Sequence, residues 1–266
     1  MCIRDRLSAC QSVWDAGKVE EVTKMPVEDG TVDVLVSEWM GYALLFESML
    51  SSVLFCRDRW LKPGGAMLPD RALIYLAAGS IEATGLDFWD DVYGFSFPDI
   101  QRESRESTLT EPLVAPVPPA ALLSTPALVK EFDLTTMQAA DADFHASCDL
   151  TVRTAGACHA LVLWFDTPFS ERFCTQAPGN LSTSPQGTPT HWVQTVFSLR
   201  QVWQLHVGQR LACRCSFARS GQHRSIDISF EVQHVDHDGQ VLGQQAQVYV
   251  MAVSAKSGQS GNAGKR

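Results

Sequence analysis

Several common signatures are missing from these 266 residues, and each absence removes a class of function. No uninterrupted apolar run approaches the 18 or more residues of a membrane helix, so no spanning segment is expected. The opening decapeptide MCIRDRLSAC is charged and has no apolar stretch, so no secretory signal is read there. Basic residues are scarce: 21 Lys and Arg stand against 30 Asp and Glu, for a net charge of −9. A nucleic-acid binder needs the opposite surplus, so no nucleic-acid partner is expected. The acidic balance suits a cationic partner such as a basic peptide. The eight cysteines include no Cys-x-x-Cys pair, and no set of four ligands at zinc spacing is found. They read as reduced thiols, and Cys213 and Cys215 as small core residues on one face of a strand. His234 and His237 are read as solvated flanks of a turn, not as metal ligands. P-loop, GxGxxG and GxSxG motifs are also missing.

What is present falls into two textures. After the turn pair Asp29-Gly30, residues 31–37 (TVDVLVS) form a short β-branched run that predicts a buried parallel strand. A glycine-containing segment follows. Leu44, Leu45, Ser48, Met49, Ser52, Val53 and Cys56 then recur at three- and four-residue steps. That spacing predicts a helix to about Trp60, stopped by Pro63-Gly64-Gly65. A second strand near residues 66–68 completes a βαβ pattern. Beyond Pro69 the pattern changes. Residues 71–78 look extended, residues 86–97 are aromatic-rich, and residues 98–127 form an excursion rich in Pro, Ser and Thr. Alternation dominates after residue 128. Leu211, Cys213, Cys215 and Phe217 face one way, as do Ile226, Ile228, Phe230 and Val232, which implies an antiparallel sandwich or barrel. Residues from 256 onward read as a loose tail.

Ligands of open parallel sheets bind beyond the carboxyl ends of the strands. Glu38 lies at such an end, and Glu47 follows in what the periodicity reads as the first turns of a helix. A loop with a glycine could fold the two carboxylates onto one pocket. A guanidinium between them would keep both ionised and donate paired, charge-assisted hydrogen bonds to the two carboxylates. Trp39, Met40, Tyr42, Phe46 and Met49 could wall a flat cation. On spacing alone, a loop cap, an exposed helix residue and ordinary packing explain the same residues.

The segment SEWMGYALLFESML, residues 37–50, closely resembles the double-glutamate loop of the protein arginine methyltransferases, type I members in particular. Other stretches follow in that family's order: GKVEE (17–21), LKPGG (61–65), LPDR (68–71), FWDDVYGF (88–95) and a THW loop at 190–192. The resemblance implies the C-terminal part of a Rossmann-like methyltransferase domain over 17–69. An antiparallel β-barrel substrate domain would follow over 70–255, with a helical dimerisation arm at about 80–120. Residues 1–16 match nothing in the family, and 256–266 would be a disordered tail. The implied reaction moves a methyl group from S-adenosylmethionine to an arginine side chain of a protein. By the same resemblance, Glu38 and Glu47 would grip the guanidinium. His191 would be the third catalytic residue. Trp39, Met40, Tyr42, Met49 and Trp192 would line the substrate, and Val19 and Glu20 would contact the adenine. Met49, with Met40, would favour the asymmetric dimethyl product. The expected partners are arginine-containing substrates, Arg/Gly-rich ones included, and a second copy through the arm. The expected location is cytoplasm or nucleus.

The sequence also departs from the family pattern. The glycine-rich cofactor loop and the acidic residue for the ribose are not found, and Val193 stands where relatives usually carry lysine. Hence the 266 residues alone are expected to be inactive. The alternative is a non-catalytic dimerisation or substrate-docking module of the same descent.

Overall fold

The computed structural model describes residues 18–22, 27–222 and 224–252. The first sixteen residues and the tail from residue 256 lie outside them. Gly30, at φ 71, turns the chain into strand β1 (Val32–Val36). Val32 and Leu35 are buried, whereas Val34 and Val36 are 45% and 53% exposed. Helix α1 (Leu50–Trp60) leads into β2 (Leu61–Leu68), which pairs parallel to β1. This is the expected strand–helix–strand unit, with three corrections. β1 is not the buried strand expected, since only Val32 and Leu35 of it are buried. The helix starts at Leu50, because residues 43, 44, 47 and 48 take left-handed backbone that no α-helix admits. Leu44 and Leu45 are buried by tertiary packing, and that packing mimics a helical stripe. Residues 62–65 lie within β2, where the register against β1 shifts.

A cis bond joins Leu68 to Pro69. Asp70 follows, fully buried, and accepts from the Ser170 backbone at 2.8 Å and the Ser170 hydroxyl at 2.5 Å. Strand β3 (Arg71–Gly79) then enters the second region. The excursion contains short 3-10 turns, helix α2 (Pro98–Ser107) and strand β4 (Leu113–Ala115). Pro98 suits a helix start because its missing N–H is not needed there. None of α2 is buried, and Phe88, Tyr93 and Phe95 before it are 60%, 98% and 68% exposed.

Eight further strands follow: β5 (Ala127–Asp133), β6 (Phe144–Thr151), β7 (Gly156–Phe169), β8 (Gly179–Ser182), β9 (Gln194–Leu205), β10 (Arg210–Arg219), β11 (Ile226–Val235) and β12 (Val241–Met251). One antiparallel sheet has the order β12-β11-β10-β6. The other runs β4-β9-β7-β3-β5, with β8 on β7. Among the described residues their hydrogen bonds do not close a continuous barrel. The two sheets share one core, in which Phe144 stacks on Phe217 at 4.8 Å and Phe197 meets Phe230 at 4.9 Å. Leu211, Cys213, Cys215 and Phe217 all face inward. A one-residue slip would expose the whole row, at about 1.5–3 kcal/mol for each large side chain, so the alternation fixes the register. Burial pushes the free thiols of Cys158 and Cys215 up to about 12. His234 corrects the sequence reading: it is buried, bonded to Gln209 at 2.8 Å, and held below the usual imidazole range by burial. Among the described residues, no cluster of three or more His, Cys, Asp or Glu could hold a metal ion. No helix among them is long and apolar enough to cross a membrane.

Candidate functional site

The loop after β1 is a tight structure. Gly41 and Leu44 form an antiparallel bridge, and the Gly41 N–H donates to the Leu44 carbonyl at 3.0 Å. A Cβ at Gly41 would lie 1.8 Å from the Phe46 carbonyl oxygen, so only glycine fits. Ala43, Leu44, Glu47 and Ser48 take φ of 49, 69, 76 and 55. Non-glycine residues hold such conformations only where surrounding contacts impose them.

Those contacts come from the β-sheet region. The Ala43 N–H donates to Thr195 Oγ1 at 3.2 Å. The Trp192 indole donates to the Met40 carbonyl at 2.8 Å. The Glu47 N–H donates to the Arg224 carbonyl at 3.1 Å, and the Arg224 guanidinium pairs with Glu47 Oε2. Three points on the loop are thus tied to β9, to the segment before it and to the β10–β11 turn.

The structure distributes the candidate residues unevenly. Glu47 is half-buried and already holds a guanidinium, that of Arg224. Glu38 is exposed at the end of β1 and makes no hydrogen bond or ion pair among the described residues. The two carboxylates share no partner. Trp39 is buried at 1% exposure and belongs to the core, as does Met40. Tyr42 stacks on Phe46 at 6.2 Å. Met49 is exposed and precedes α1 as its cap residue, not as part of its face. His191 is exposed, with its ring 3.8 Å from that of the buried Trp192, which in turn meets Phe165 edge-on at 5.7 Å. Val193 follows at φ 45. Val19 and Glu20 lie in a 3-10 turn. Val19 packs against the core edge, and Glu20 accepts from the Ser52 hydroxyl at 2.5 Å, which holds its carboxyl below the usual range. Gly17 of the same motif lies outside the described residues.

Arg224 is the residue that reading the sequence misses. It sits in a hairpin turn, and nothing in the spacing of GQHRS (221–225) connects it with a loop 177 positions earlier. Four buried polar atoms near the loop and the α1 junction, Ser37 Oγ, Trp39 Nε1, Trp60 Nε1 and Thr190 Oγ1, have no hydrogen-bond partner among the described residues. A groove of about 900 Å³ lies elsewhere, lined by Asp149, Arg214, Glu231, Gln233 and Gln244 of the four-stranded sheet. It contains none of the candidate residues.

Comparison with known proteins bears on the family and the fold. Residues 70–237 match the family model of the arginine methyltransferase oligomerization subdomain. A probable protein arginine N-methyltransferase 3 of Arabidopsis thaliana is 44% identical over 246 residues, covering 84% of this chain and 41% of that protein. Protein arginine N-methyltransferase 1 of Chlamydomonas reinhardtii is 38% identical, covering 86% of this chain and 65% of that one. This chain therefore spans about two-fifths of its plant relative in Arabidopsis. Among solved structures, the Trypanosoma brucei PRMT1 enzyme-prozyme heterotetrameric complex with AdoHcy matches with a TM-score of 0.72 at 32% identity, over 89% of this chain and 72% of that one. Arabidopsis protein arginine methyltransferase 10, in an open conformation, matches at 0.74 and 28%, over 88% and 73%. These neighbours carry the fold expected from the sequence, a Rossmann-like unit followed by the β-barrel domain, of which this chain retains β1, α1 and β2 and the antiparallel sheets. By its loop, its sheets and these likenesses, the chain belongs to the protein arginine methyltransferase family.

Proposed function

We propose that the complete protein carrying these residues transfers a methyl group from S-adenosylmethionine to the guanidinium of arginine in a protein substrate. The observation that carries this reading is Glu47, a strained, half-buried carboxylate that binds a guanidinium in the structure itself. Glu38, unpartnered at the strand end, would supply the second carboxylate. Together they would localise the positive charge on two nitrogens and leave a lone pair on the third. That nitrogen would accept the methyl group that S-adenosylmethionine supplies, and the methylated nitrogen would then release one proton. Catalysis here is positioning and electrostatics. His191, exposed with its ring tilted against the buried Trp192 at 3.8 Å, would accept or relay that proton.

The residues present fit one edge of the cofactor. Val19 offers an apolar side, and Glu20, kept ionised by Ser52, offers an acceptor for an adenine amine. When bound, the cofactor supplies an electrophilic methyl. The 266 residues include no glycine-rich loop, so we propose that they do not bind it alone. Met49, exposed before α1, would crowd the reacting nitrogens toward asymmetric dimethylation, with Tyr42 on the loop framing the site and the buried Trp39, Met40 and Trp192 supporting it from the core. The net charge of −9 favours Arg/Gly-rich substrates, and the family resemblance suggests a cytoplasmic or nuclear setting. The exposed Phe88, Tyr93 and Phe95 of the arm support a homodimer, and the division at Pro69 separates the two functional parts. A dimerising or docking module is the second reading, favoured by a family match confined to 70–237.

The test has two arms. Calorimetry of the 266-residue chain should show no micromolar binding of S-adenosylmethionine. The complete protein should methylate an arginine peptide, and Glu38→Gln or Glu47→Gln should lower kcat by about a hundredfold or more. Near-normal turnover in either variant would sink the clamp. No turnover in the complete wild type would favour the module.

A further inference from the structure

The β10–β11 turn is the part of the site that the candidate residues leave unused. Its backbone is pinned by Ser220 N–H to the Ser225 carbonyl at 3.0 Å and Ser225 N–H to the Gln222 carbonyl at 3.3 Å. Between them Arg224 takes φ 63. Seven non-glycine residues among those described have positive φ, and six of them (Ala43, Leu44, Glu47, Ser48, Val193, Arg224) lie in the double-glutamate loop, just after Trp192, or in this turn. Glu47 and Arg224 are joined twice, by the backbone hydrogen bond of 3.1 Å and by the ion pair. Two strained residues strapped together at both backbone and side chain form an over-determined contact, the arrangement by which a protein fixes a reacting group in advance.

We propose that Arg224 is a positioning residue for Glu47. Its guanidinium holds Oε2, fixes the plane of the carboxylate, and directs Oε1 at the substrate guanidinium. The inference rests on the clamp reading above and goes beyond it. A different role, in which Arg224 merely competes with substrate for Glu47, would need only the side-chain pair. The backbone bond and the paired left-handed conformations argue for a fixed support. The two roles also predict opposite signs. Removing a competitor lowers the KM for an arginine substrate, whereas removing a support raises it.

The experiment uses the complete protein with S-adenosylmethionine and a Gly-Arg-Gly peptide. Arg224→Ala should raise the peptide KM about tenfold and leave the cofactor KM unchanged. Arg224→Lys keeps the charge but loses the planar fork, and should raise peptide KM by a smaller factor of about three. Loss of folded enzyme would lower kcat without splitting the two KM values, and a melting curve of each variant gives the folded fraction. If Arg224→Ala does not fold, Arg224→Lys carries the test alone. An unchanged or lowered peptide KM overturns the inference. If that occurs while Glu47→Gln is inactive, the clamp stands and only the role of Arg224 falls. If Glu47→Gln turns over normally, both fall.

Discussion

The double-glutamate loop depends on a residue that carries no side chain. Gly41 has no room for a methyl group, because the obstructing atom is a backbone oxygen 1.8 Å away and cannot rotate aside. Gly41→Ala should therefore force the 41–46 hairpin open, costing about 2–4 kcal/mol, and should abolish methyl transfer with both glutamates intact. Thermal melting together with a transfer assay checks this, and a variant with wild-type melting and turnover would refute it. A family resemblance marks Glu38, Glu47, His191 and Trp192 in the sequence, and the family itself was legible there. Their surroundings were not. Trp39 looked like a wall for a cation and is a core side chain at 1% exposure. Arg224 was invisible because its role depends on a tertiary contact across 177 positions.

Among the elements, the strands after residue 128 were readable since burial on one face imposes a period of two. The helix boundary was not, because Leu44 and Leu45 meet the core from a loop at the spacing a helix would use. Pro98 marks the start of α2, yet that helix buries nothing, so it left no apolar stripe to find. Helix α1 is docked by Arg57, 8% exposed, whose Nη1 donates to the Leu134 carbonyl at 2.6 Å and the Met137 carbonyl at 2.8 Å. Removing it strands two buried acceptors. Arg57→Ala should cost about 2–4 kcal/mol. The expected readout is a lower urea midpoint at unchanged slope. An unshifted midpoint would mean that water replaces the guanidinium freely.

For the whole molecule, acid is a defined weakness. Arg172 grips both oxygens of Asp133 at 2.9 and 2.7 Å, and with Thr135 holds that carboxyl well below the usual carboxylate range. A depressed folded-state value means the stabilisation is complete above the unfolded value, near 3.9, and is lost as pH falls below it. Asp133→Asn should lower stability at neutral pH by about 1 kcal/mol, given the partly exposed setting, and flatten the melting-temperature slope below about pH 4. A parallel slope in the variant would remove Asp133 as the source. A further consequence follows from the three ties on the double-glutamate loop, at Met40, Ala43 and Glu47. They make the loop mechanically part of the β-sheet body, although the chain enters it from β1. The Arg57 bonds to Leu134 and Met137 dock α1 on the same body, so the loop is held from both of its ends. A substrate gripped by that loop, on the proposed function, would therefore meet a surface whose shape is set by the sheets and not by the local chain.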